Sequence, residues 1–94
     1  MLETALPLTL QNARTALAEG LRAIEAGQTA FDLSRVEALD SAAIAILLAW
    51  QRAARARGTN LDFHNPPSVL CSLAALYGVA ELLHIVGSAT AQPH

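Results

Sequence analysis

The stretch Val36-Glu37-Ala38-Leu39-Asp40-Ser41-Ala42-Ala43-Ile44-Ala45-Ile46-Leu47-Leu48-Ala49-Trp50 decides the fold. A short apolar approach ends in Asp40-Ser41, and a run of helix formers follows with no charge before Arg52. Asp and Ser cap helices because their side-chain oxygens accept the free N–H groups of the first turn. The pattern therefore predicts a strand end, a capped turn and a largely buried helix running to about Arg57 and stopping at Gly58. Ser41 falls at the positive end of that helix, where an anion such as a phosphate is best tolerated. From local sequence alone, the plainer reading is that Asp40-Ser41 is only a cap.

At 100° per residue the helix sorts into two faces. Ala43, Ile46, Leu47, Trp50 and Ala54 form a core face. Ser41, Ile44, Ala45, Leu48, Arg52 and Arg55 form the other. If the first face packs on a sheet, Ile44 and Leu48 stand near the surface beside Ser41. A serine next to an apolar patch with a basic end has the character of a docking surface. The alternative is that another element of the chain covers Ile44 and Leu48.

Outward from this helix, the chain alternates. Met1 to Leu8, with Pro7, predicts a short edge strand. Thr9 caps a helix whose apolar face is Leu10, Ala13, Leu17, Leu21 and Ile24, with Gly27 as its stop. Gly20 inside that helix costs about 1 kcal/mol relative to Ala, which close packing would justify. Thr29 to Leu33 predicts a strand, as does Leu61 to His64, with Phe31, Leu33, Leu61 and Phe63 on the apolar side. Asn65-Pro66-Pro67 ends the latter, and Ser68 caps a helix carrying Leu70, Leu73, Ala74 and Tyr77, ended by Gly78. Val79 to Val86 predicts one more short helix, and Gly87 to His94 a disordered tail.

This order implies an α/β domain over residues 1–86 with a three- to four-stranded, mostly parallel sheet, three to four helices and a reduced N-terminal strand. The 20 Ala and 16 Leu, against 4 Val and 4 Ile, favour helices and keep the strands short. An open sheet edge invites pairing with another chain, including a second copy.

Composition narrows the function classes. The net charge is −2, and all 6 basic residues are Arg, which argues against a nucleic-acid surface. Arg52, Arg55 and Arg57 alone cluster, either as a solvated helix end or as a contact for acidic groups on a partner. The single cysteine, Cys71, excludes an internal disulfide and reads as a small core residue. The apolar run Ala42–Trp50 is too short for a bilayer span of about 20 residues. No signal peptide is expected, and the predicted location is cytoplasmic. His64, His84 and His94 have no ligand spacing, so no metal site is expected. With no Gly-x-Ser-x-Gly elbow around Ser41 and no phosphate-binding Gly-rich loop, neither an enzyme nor a cofactor is expected.

Phe31-Asp32-Leu33-Ser34 followed by Leu39-Asp40-Ser41-Ala42-Ala43 resembles the strand–loop–helix signature of STAS domains of the anti-sigma-factor-antagonist type. Pro67, Leu70, Leu73, Ala74, Leu76-Tyr77-Gly78-Val79 and Leu82-Leu83 resemble the family's C-terminal segment. Leu48-Ala49-Trp50-Gln51-Arg52-Ala53-Ala54 and Leu76-Tyr77-Gly78-Val79 are more specifically similar to the STAS subunit of Mla-type phospholipid ABC transporters. The resemblance implies a non-catalytic partner-binding module. In the Mla branch it implies that the helix from Ser41 grips the transporter's ATPase subunit, which places the protein peripherally at the inner membrane and links it to outer-membrane lipid asymmetry. The partner-binding residues would be Asp40, Ser41, Ala42, Ile44, Ala45, Leu48, Arg52 and Arg55. In the antagonist branch it implies that a partner serine kinase or anti-sigma factor is met at Ser41, with phosphorylation of that serine blocking docking. The sequence departs from the family at Leu8-Thr9-Leu10, which lacks an acid, and at Ala43, where a glycine is usual. The third departure is the N-terminal strand pair, here reduced to at most one strand.

Overall fold

The computed structural model describes residues 1–86 of the 94. Four strands, β1 (Leu2–Glu3), β2 (Ala30–Asp32), β3 (Asp62–His64) and β4 (His84–Val86), form one all-parallel sheet in the order β1-β2-β3-β4. Three α-helices connect them: α1 (Ala13–Glu25), α2 (Ala42–Ala56) and α3 (Ser68–Leu76). The predicted α/β architecture is the one observed. The predicted tail from Gly87 to His94 lies outside the described residues.

The register places Leu2, Phe31, Phe63 and Ile85 in one row across the sheet. Phe31 and Phe63 are fully buried. Trp50 of α2 meets the Phe31 ring edge-on, with centroids 5.1 Å apart, a favoured aromatic geometry. The neighbouring positions on the strands, among them Glu3, Asp32, Asp62, His64 and His84, are half-buried or exposed. The sheet is thus apolar on its helix side and polar on the other.

α1 and α2 approach closely at Gly20. A Cβ built there would lie 2.1 Å from Trp50 Nε1, far inside van der Waals contact. The indole N–H donates to the Leu17 carbonyl at 3.3 Å. Close packing is therefore what the mid-helix glycine serves. The glycine stops hold as well: Gly27, Gly58 and Gly78 follow α1, α2 and α3 with positive φ, the conformation that a helix C-cap of this type requires.

Several expectations fail: Ser68 lies inside α3, with Pro67 before it, and Tyr77 falls just beyond its end. Leu10 does not join the core face of α1; it sits in a 3-10 turn (Leu10–Asn12) and is 77% exposed. Val79 to Val86 is not a helix. It holds one 3-10 turn (Ala80–Leu82) and then β4. Leu83 is buried, His84 exposed and Ile85 half-buried, the period-2 alternation of a strand. Pairing with β3 supplies what the local sequence does not.

Candidate functional site

Asp40 builds the start of α2. One carboxylate oxygen accepts the Ala42 N–H at 2.8 Å, and the other accepts the Leu10 N–H at 3.2 Å. Its backbone joins a parallel bridge between Leu8 and Leu39, with the Asp40 N–H donating to the Leu8 carbonyl at 3.2 Å. One side chain thus caps α2 and pins the turn that leads into α1. The expected Asp40-Ser41 cap is Asp40's work. Ser41 is already in helical conformation, makes no side-chain cap bond and is exposed.

Beyond Ser41, the solvent side of α2 carries Ala45, Leu48, Arg52 and Arg55. Ala45 and both arginines are exposed, and Leu48 and Ala42 are half-buried. With Ser41 they recur at steps of three and four, one stripe along the helix. Ile44 is not on it. At 6% exposure it belongs to the hydrophobic core, which corrects its expected place at the surface. Gln51 explains why the buried arc is wider than two-face sorting allows. It lies seven residues after Ile44, on the same line of the helix, and is also buried. Its side-chain amide donates to the Leu82 carbonyl, and its oxygen accepts the His84 N–H at 3.4 Å. The 80–86 segment therefore meets α2 through Gln51, and α2 also packs against α3, contacts between elements that sorting one helix into two faces does not take into account.

Two shallow grooves border the stripe. One, of about 400 Å³, is lined by Leu10, Asp40, Ser41, Ala42 and Ala45. The other, of about 230 Å³, is lined by Leu48, Gln51, Arg52, Arg55 and Leu82. Leu10 and the 51% exposed Leu82 flank the two ends. These leucines and Gln51 are the site residues that sequence reasoning missed. Gln51, an uncharged polar residue directly after the apolar run and before Arg52, was the one available signal.

Across the sheet, the Ser34 backbone N–H donates to Asp32 at 3.0 Å and holds the Asp32 carboxyl below the usual aspartate range. Partial burial opposes this, while the Ser34 and Asn65 side chains and His64 reinforce it. Among the described residues, no three His, Cys, Asp or Glu groups gather as a metal site, and no helix is long and apolar enough to cross a membrane.

The family model described as "Mlab, STAS domain" matches residues 5–86. No curated protein matches the chain significantly. Among solved structures, the chain is similar to one titled "Structure of the Anti-Sigma Factor Antagonist SpoIIAA in its Unphosphorylated Form". The TM-score is 0.68 at 18% identity, over 94% of this chain and 76% of that one.

Proposed function

Because the chain belongs to the STAS domain family, we propose that it is a non-catalytic subunit of an Mla-type phospholipid ABC transporter, docking on the ATPase subunit through the solvent side of α2. The observation that carries this reading is the stripe Ser41, Ala45, Leu48, Arg52 and Arg55, exposed or half-buried along the whole helix and flanked by outward-facing Leu10 and Leu82. Large aliphatic side chains held in water beside basic groups suit a protein interface better than a free surface. The family model's own description points to the Mla branch. On this reading Asp40 and Ala42 shape the start of the surface, and Ile44 supports it from beneath. The protein would sit in the cytoplasm at the inner membrane, held there by the transporter.

The test is co-purification with the transporter's ATPase subunit. Ala45→Glu places a charge mid-stripe at an exposed helical position, so the fold persists, and it is expected to abolish co-purification. Full-strength co-purification of the folded variant would remove the reading.

A second reading has its own support. Ser41 is exposed with no cap bond, and a similar structure is that of an antagonist described as unphosphorylated. On this reading Ser41 is a phosphorylation switch for a serine kinase or anti-sigma factor. A phosphate there brings about −1.5 to −2 charge onto a partly apolar contact. Intact-mass measurement of the protein from its native cells decides it: a phosphorylated Ser41 supports the switch, and its absence across growth conditions rejects it.

A further inference from the structure

We propose that the groove between the C-terminal half of α2 and the Ala80–Leu82 turn receives an apolar side chain from an acidic amphipathic helix of a protein partner. This rests on the docking reading above and names the chemistry of the partner segment.

The groove is preformed. Leu83 turns into the core at 4% exposure, which sends Leu82 outward. Gln51 then holds the backbone on both sides of Leu83, at the Leu82 carbonyl and the His84 N–H. Leu48 forms the opposite wall. An apolar cleft whose walls are tied by a buried amide costs little ordering when filled.

Its rim sets the sign of the occupant. Arg52 and Arg55 line the groove, and neither has an ion-pair partner among the described residues. With Arg57 they are half of the chain's 6 basic residues, gathered on a molecule of net charge −2. The local sign is opposite to the global one, so a partner surface rich in carboxylates is favoured over a second copy that offers this same arginine stripe. Carboxylates matter because guanidinium groups bind them in paired, directional hydrogen bonds. The apolar walls disfavour a nucleic acid, whose backbone would leave Leu48 and Leu82 uncovered. The stripe from Ser41 to Arg55 advances 14 residues, or about 21 Å at 1.5 Å per residue. A partner helix of similar length covers it, with its anchor in the groove and one or two acids a turn away.

The test screens a library of 14-residue helical peptides against the full chain. The expected ligands carry a large apolar residue with Asp or Glu three or four positions away. Arg52→Glu combined with Arg55→Glu is expected to weaken them at least about tenfold, and Leu82→Asp likewise, with affinity falling as salt rises. Both sites are exposed, so circular dichroism should show the fold retained. Neutral or basic ligands, ligands indifferent to both variants, or no ligand at all would overturn the proposal. So would a duplex oligonucleotide or a second copy of the chain occupying the groove instead. Ala45→Glu separates the two ideas: if that variant still binds the ATPase while acidic peptides fill the groove, only the transporter reading falls. If Ala45→Glu abolishes ATPase binding while no acidic peptide is selected, only the groove falls.

Discussion

At two positions a single residue decides the local energetics. Gly20 is one. Alanine is the better helix former by about 1 kcal/mol, yet its Cβ would lie 2.1 Å from Trp50 Nε1. Overpacking of this kind typically costs about 1–3 kcal/mol. We expect Gly20→Ala to lower stability despite the propensity gain, as read by urea denaturation. Asp32 is the other. Its carboxyl titrates below the usual range because the Ser34 backbone N–H bonds the ionised form. A lowered folded-state pKa contributes stability that is fully present above the unfolded value, about 3.9. That contribution is lost as pH falls through the folded value. Between pH 7 and pH 5 the Asp32→Asn variant should therefore run parallel to the unaltered protein. Below about pH 4 the unaltered protein should lose stability more steeply than the variant, measured by denaturation at each pH.

Among elements, α2 was the most legible and the 80–86 segment the least. The capped start, the core line Ala43, Ile46, Leu47, Trp50 and Ala54, and the stop at Gly58 all follow from local rules, and all appear in the structure. Asp40, Ser41, Ala45, Arg52 and Arg55 are exposed as expected. Gln51 escaped because its hydrogen-bond partners lie in a segment distant in sequence, and Ile44 because its burial depends on tertiary packing rather than on the helix alone. Leu82, Leu83 and Val86 suit a helix as well as a strand at this length, and only β3 beside them decides. Gln51 is the joint between the two. Gln51→Ala leaves the Leu82 carbonyl and His84 N–H without these partners, and a buried polar group left unpaired costs about 1–3 kcal/mol. The expected result is faster amide exchange through β4, with α1 less affected.

At the scale of the molecule, the sheet is unusual for its class. All-parallel sheets are generally covered on both faces, whereas here one face carries Glu3, Asp32, Asp62, His64 and His84. Strands of two or three residues make this workable, since the open face is small and its polar side chains shield the backbone. The alternation of polar and apolar residues at Leu61 to His64 already indicated it. The remaining cohesion lies in one core that includes residues from every helix and from β2 and β3. Such a chain should unfold as a unit. Trp50, the single tryptophan, is 1% exposed at the centre of that core. Its fluorescence and the far-ultraviolet circular dichroism are expected to report one coincident thermal transition. Separated midpoints would show that the helix layer and the sheet part company.

The contact between Gly20 and Trp50 also constrains how the sequence can drift. Position 20 has no room for even a methyl group while the indole stands opposite. A lineage that enlarges the first must already have shrunk the second, so the two codons change in a fixed order, and intermediates of the reverse order are weeded out.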